Sequence, residues 1–332
     1  MPILVKRGKT IPFGELPPNS IALDGYCLGP AVDPANRRYS FDHHGECLRH
    51  ATTATCQQVL DALLLGLEPR GYDVYLNDLD ADSVLAAWLL ANPDRVDHYL
   101  VRLLVPNVGA RDAHGPAYPT LFAHKVAQYC QGALDPLEES KHSGDYSNCD
   151  LSELLGVCLA RTTAFFNGST SPLLKRRPKA TYSVTHQGSG WVMARGGEDA
   201  FASLYGAGHR RAVVFQAKSD GSTAYTIAKQ SEFVDGFPVG PASRERSIVA
   251  ILANLEPGWG GSTTIGGAPR NADGSRSRLT PEEVFAIVET VVDKHAGWHN
   301  KAQRDDVHWG MDPSSGNDGP TARKAFRDKL AS

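Results

Sequence analysis

The chain has 332 residues, a hydrophobic fraction of 41%, a charged fraction of 21% and a net charge of −3. That length exceeds what one hydrophobic core usually fills, so two domains are expected. The balance excludes a disordered or collagen-like chain, and it offers no strongly basic face for nucleic acid.

No run reaches the ~20 apolar residues of a membrane helix, and the first residues lack the charge-then-apolar order of a signal peptide. Six cysteines without a C-x-x-C pair fit a reduced, cytoplasmic protein rather than a disulfide scaffold or a cysteine zinc site.

In chain order, the apolar run of "IALDGYC" predicts a strand ending at Asp24, and "RRYSF" a second extended run ending before "DHHG". Helical spacing of apolar residues predicts a helix over 50–67, ending near Gly66. "YDVYL" at 72–76 reads as a strand. The turn "NDLDADS" and a buried helix stopped by Asn92-Pro93 come next. "RVDHYLVRLLV", 95–105, reads as another strand region. Helix and strand alternate, which predicts an α/β domain with a mainly parallel sheet flanked by helices.

A helix from 151 leads into a Gly/Ser/Pro-rich, then basic, stretch, where the domain boundary is placed: 1–175 and 176–332. Beyond it come two strands around Gln187-Gly188-Ser189-Gly190 and a hairpin around Asp220-Gly221. The helix "SRERSIVAILANL" and a glycine-rich loop follow. Thr280-Pro281-Glu282-Glu283 then opens another helix with a cap, a proline and two acids. The second domain is therefore expected to be a smaller α+β unit with an antiparallel or mixed sheet. The tail after 300 is polar and is expected to be poorly ordered.

Three stretches carry candidate chemistry. Asp78, Asp80 and Asp82 alternate just after a strand, at the edge where α/β sheets bind ligands. Three close carboxylates repel unless a cation compensates, and on the triplet alone a solvated turn with Asp82 or Ser83 capping the next helix is the more economical reading. Asp42, His43 and His44 also follow an extended run. There a histidine can ligate a metal through one ring nitrogen while a carboxylate orients the other, or the three can be a polar loop. Asp24 fits the same edge, and Asp112 with His114 is either part of the site or a hydrogen-bonded loop. The third stretch, "WGGSTTIGGAPR", offers backbone amides of Gly260, Gly261, Ser262, Thr263, Thr264, Gly266 and Gly267 to an anion. Arg270 adds a bidentate donor. It matches neither the P-loop nor the G-x-G-x-x-G pattern.

Together these stretches resemble the DHH phosphoesterase superfamily. "FDHHG" looks like its naming motif, "NDLDADSVLAAWLL" like its D-x-D-A motif, and the region from 210 to 270 like its associated C-terminal domain. The resemblance implies one or two divalent ions, commonly Mn²⁺, with Mg²⁺, Fe²⁺, Co²⁺ or Zn²⁺ as substitutes. Their ligands would be Asp24, Asp42, His43, Asp78 and Asp80, and the reading of the residues alone adds Asp112. His43, His44 and Asp80 would be the catalytic groups and the glycine-rich loop would hold substrate between the domains, with His114 a further substrate candidate from the residues alone. The implied activity is hydrolysis of a phosphate ester or phosphoanhydride by metal-activated water. The substrate would be a small anion or a short single-stranded nucleic acid, and the protein a candidate homodimer with no membrane partner. Here DHH precedes D-x-D, whereas the family places D-x-D first. Gly260-Gly261-Ser262-Thr263 stands where the family has G-G-G-H. Two rival readings are a metal-dependent enzyme on a non-phosphate substrate and a non-catalytic nucleotide-binding protein.

Overall fold

The computed structural model describes residues 1–306 apart from 46, 49, 116–117, 170–180, 198–199, 241–245 and 272–273, with the side chains of 142 and 295–306 also left out. It is an α/β protein with two sheets. The chain divides into two compact units, Met1–Val184 with Ala194–Val214, and Thr185–Met193 with the residues from Phe215 onward.

The first sheet contains β1 (Ile3–Val5), β2 (Ser20–Leu23), β3 (Ala31–Asp33), β4 (Arg38–Phe41) and β5 (Asp73–Leu76), in the order β1-β5-β2-β4-β3. β1, β5, β2 and β4 are parallel, and β3 runs antiparallel to β4 at the edge. Register fixes the site. Leu23 pairs with Phe41 and Ala22 with Tyr75, so the residues after β2, β4 and β5 emerge side by side at one sheet edge.

The helices of this part are α1 (Thr55–Leu64), α2 (Ala81–Ala91), α3 (Tyr99–His114), α4 (Ala123–Ala133), α5 (Asp135–Ser143) and α6 (Leu151–Phe166). α2 is buried from Asp82 to Leu90, which is why its sequence is apolar on every face. It packs on α1, α3 and α6, and Trp88 stacks on Phe166 with ring centroids 4.4 Å apart.

The second sheet contains β6 (Ser183–Gly188), β7 (Trp191–Arg195), β8 (Arg211–Ala217), β9 (Thr223–Lys229), β10 (Gly260–Gly261) and β11 (Ile265–Gly267), in the order β10-β11-β9-β8-β7-β6. α7 (Ala200–Gly206), α8 (Ile248–Leu255) and α9 (Pro281–Asp306) complete the described elements. Thr280 and Glu283 form a reciprocal cap on α9, Glu283 N–H to Thr280 Oγ1 at 3.3 Å and Thr280 N–H to Glu283 Oε2 at 2.8 Å.

Four sequence expectations are corrected. The 95–105 region is not a strand. Its apolar residues continue as Val101, Leu104, Val105 and Val108, a helical spacing, and they form the buried face of α3. The helix expected from residue 50 starts at Thr55. The cap of α2 is Asp80, not Asp82 or Ser83: its carboxylate accepts the Ser83 N–H at 2.8 Å, and Ser83 Oγ accepts the Asp80 N–H at 2.9 Å. The expected domain boundary and the tail from 307 lie outside the described residues, and residues 301–306, expected to be poorly ordered, are instead the last turns of α9.

Candidate functional site

Asp24, the first residue after β2, is in a left-handed conformation with φ of 47°, and Gly25 follows at 84°. This tight turn aims the Gly25 N–H at Asp42, the first residue after β4. Asp42 is fully buried and its carboxylate is saturated. Oδ1 accepts from Gly25 N–H at 2.8 Å and faces His44 Nδ1 at 2.7 Å. Oδ2 accepts from Gly29 N–H at 2.6 Å and His44 N–H at 2.9 Å. Burial pushes its pKa up, but the hydrogen bonds from His44 and Gly29 outweigh burial and hold it below the usual carboxylate range. Four donors occupy the four lone-pair directions of a carboxylate. Asp42 is thus a brace for His44, and the ligand role implied for it has no oxygen left to serve it.

His43 points the other way. It is fully buried, and Nε2 lies 2.9 Å from Asp112 Oδ2 and 3.7 Å from Asp24 Oδ1. Neither ring nitrogen has a hydrogen bond of acceptable direction. The His44 ring meets it edge-on at 4.6 Å, and His44 is 37% exposed.

Asp82, on the first turn of α2, is fully buried and reaches the start of α1. It accepts Thr55 N–H at 2.8 Å and Cys56 N–H at 2.9 Å. The carboxylate meets the amides that a helix start leaves unpaired. Thr55 Oγ1 also donates to Asp24 Oδ1 at 3.1 Å. Asp112 joins from the last turn of α3 rather than from a loop.

Two groups of side chains bring ligand atoms within 4.8 Å of one another: Asp24, His43 and His44, and His43, Asp82 and Asp112. Their charges are strained in the expected sense. Asp24 is pushed well above its ordinary pKa by burial and then by Asp80, Asp82 and Asp112. Asp82 rises to about 7 through burial, Asp112 and Asp80. Asp80 is raised by burial and Asp112, against the Ser83 hydrogen bonds and the Lys141 ammonium.

Of the implied ligands, the structure gathers Asp24, His43 and Asp112, keeps Asp80 beside them as a helix cap, and turns Asp78 away. Asp78 is exposed and bonds the Tyr146 hydroxyl. Asp82 enters the groups in its place. The alternation of three aspartates was the only sequence signal for it, and that signal could not show which of them faces inward.

The glycine-rich stretch is a hairpin of β10 and β11. A Cβ on Gly261 would lie 2.3 Å from Gly266 Cα, and one on Gly266 would lie 2.4 Å from Val249 Cγ2. Close packing therefore explains both glycines. The Thr263 hydroxyl bonds Glu232, Gly260 and Ser262 are exposed, Thr264 and Gly267 are partly so, and Arg270 is exposed. His114, on α3, lies against Tyr118 with ring centroids 4.6 Å apart. No family model, curated protein or solved structure matches the chain.

Proposed function

We propose that this chain is a divalent-metal-dependent hydrolase of the DHH phosphoesterase kind, cleaving a phosphate ester or phosphoanhydride in a cytoplasmic setting, with Mn²⁺ as the resident ion. His43 carries the reading. It is buried, neither ring nitrogen has a hydrogen bond of acceptable direction, and Nε2 lies 2.9 Å from Asp112 Oδ2 beside Asp24 and Asp82. A buried polar group left unpaired costs on the order of 1–3 kcal/mol, and close carboxylates repel. One divalent cation at Nε2 gives that nitrogen a partner and offsets the repulsion.

The donor set fits such an ion. Mixed imidazole and carboxylate ligands suit Mn²⁺, Fe²⁺, Co²⁺ or Zn²⁺, and a purely oxygen-bound Ca²⁺ site would have no use for His43. Asp24, His43, Asp82 and Asp112 would hold it, with His44 at the rim. When bound, the ion supplies Lewis acidity and brings the pKa of a coordinated water toward ~7.

The protein's own groups do the rest. Asp42 fixes the His44 ring through Nδ1, so Nε2 is left as the nitrogen that exchanges a proton with the leaving oxygen. Thr55 orients Asp24, and the first amides of α1 orient Asp82. Small anions or short single strands are the expected substrates.

The rival reading is a non-phosphate substrate at the same metal-binding residues. A Mn²⁺-supplemented screen over phosphate, sulfate and carboxylic esters separates the two readings. His43→Ala is expected to abolish Mn²⁺ uptake and hydrolysis together. Purified wild-type protein that neither contains nor takes up Mn²⁺, Fe²⁺ or Zn²⁺ would overturn the metal-hydrolase reading.

A further inference from the structure

The glycine hairpin is accounted for by packing, so the substrate anion needs another holder. One cluster in the first unit answers that need. Lys141, on α5, donates to the Leu79 carbonyl at 2.7 Å. Tyr146, on the short 3₁₀ turn after α5, accepts the Leu79 N–H at 3.1 Å and bonds Asp78. The turn 78–80 is thereby gripped on both sides of Leu79.

Arg7 comes to the same place from β1. Lys6 N–H donates to Leu76 O at 2.7 Å and Gly8 N–H to Asn77 O at 2.8 Å, so Arg7 runs alongside the end of β5. Its guanidinium lies 5.2 Å from the centre of the Tyr146 ring, and the Lys141 ammonium lies 5.0 Å from it. Arg7 Nη2 donates to Cys149 O at 2.7 Å.

Arg7 follows the end of β1 and Lys141 reaches from α5 to the turn after β5, so both exposed cations stand at the edge where open α/β sheets bind ligands. Neither makes an ion pair among the described residues, although Asp78 and Asp80 are close by. Pinning the turn uses one of three N–H donors on Lys141, and the Cys149 carbonyl uses one of five on Arg7. Arg7 Nη2 also reaches Cys149 Sγ at 3.7 Å, and both cations lie within cation–π range of the Tyr146 ring.

We propose that Arg7 and Lys141 form the oxyanion-binding arm of this site and hold the phosphoryl oxygens of a substrate placed against the 78–80 turn. The proposal rests on the hydrolase reading for its substrate, but its binding chemistry can be tested separately. A tetrahedral anion would receive a forked contact from Arg7 and a point charge from Lys141.

The test uses the full chain, inorganic phosphate as probe, and isothermal titration with and without Mn²⁺, on wild type and the variants Arg7→Gln, Lys141→Gln and Lys141→Arg. Each Gln variant is expected to weaken phosphate binding by about tenfold or more, the loss of a charge-assisted hydrogen bond. Mn²⁺ affinity should stay within about twofold, and Lys141→Arg should recover most of the phosphate binding. Unchanged phosphate affinity in both Gln variants overturns the proposal. So does wild type that binds no phosphate in either condition. So does a Lys141→Gln loss confined to Mn²⁺ affinity, which would make Lys141 a positioning residue of the turn. If wild type takes up no metal but the Gln variants still lose phosphate, the hydrolase reading fails and the anion arm stands.

Discussion

Replacing Asp42 with Asn isolates the brace from the ligands. The substitution keeps shape and removes charge. Each carboxylate oxygen serves two donors, Gly25 N–H and His44 Nδ1 on one, Gly29 N–H and His44 N–H on the other. Whichever oxygen becomes an amide nitrogen, it faces donors. The least costly arrangement puts the amide toward Gly25 and lets His44 change tautomer to accept from it. The Gly25 N–H is then orphaned in a buried site, and the remaining hydrogen bonds lose their ionic partner. An orphaned donor costs about 1–3 kcal/mol and each bond to a charged group about 1.5–3 kcal/mol before replacement. We expect a net destabilisation of about 3–4 kcal/mol at pH 7, and a Tm lowered by on the order of 10 °C for a unit of this size.

The linkage gives a second reading. The Asp42 pKa is depressed in the folded state, so its contribution is present above the unfolded value near ~4 and is lost as pH falls through the folded value. The stability gap between wild type and Asp42→Asn should therefore narrow below about pH 4. Urea unfolding followed by tryptophan fluorescence, at pH 7 and at the lowest pH where both fold, measures it. A gap under about 1 kcal/mol at pH 7 would refute the saturation argument, since that is the range of an ordinary surface change.

Other outcomes follow from the same geometry. Asp82 has its pKa raised to about 7, so in metal-free protein its contribution is full below the unfolded carboxylate value and is lost as pH rises to about 7. Metal-free protein should therefore melt lower at pH 8 than at pH 5 by scanning calorimetry, and Mn²⁺ should remove most of that difference. Saturating Mn²⁺ at 100 times its Kd should stabilise wild type by about 2.7 kcal/mol, and His43→Ala should show none of this gain. Gly261→Ala forces a side chain against the facing strand and should lower stability by about 2–3 kcal/mol while leaving Mn²⁺ affinity unchanged. Equal stability would mean the β10–β11 hairpin opens freely. Asp78→Asn, at an exposed carboxylate, should weaken Mn²⁺ binding far less than Asp112→Asn in the same titration.

The fold was legible where local pattern and tertiary setting agree. Apolar runs ending in Asp24, Asp42 and Asp78 marked β2, β4 and β5, because a strand in a parallel sheet buries both faces. α3 was misread because His98, Tyr99 and Val101 suggest β structure over a short window, and its helical stripe shows only when extended to Val108. Asp112 looked like a loop residue for the same reason. Site residues were visible as types but not as orientations. Nothing in the spacing of Asp78, Asp80 and Asp82 tells which carboxylate meets Tyr146, which caps α2 and which meets α1. The Asp80 cap is local, but the other two outcomes depend on the start of α1 and on the turn after α5, which are remote in sequence.

The candidate ligand atoms come from the ends of β2 and β4 and from α2 and α3, and Asp82 is aimed by the start of α1. Only His43 and His44 are neighbours along the chain. An unfolded chain therefore offers few preassembled ligands, so an ion that prefers this set acts almost purely as a ligand of the native state. In a cell, the supply of that ion would then set how much of the protein survives quality control, and scarcity would register first as lost abundance rather than as folded, ion-free protein.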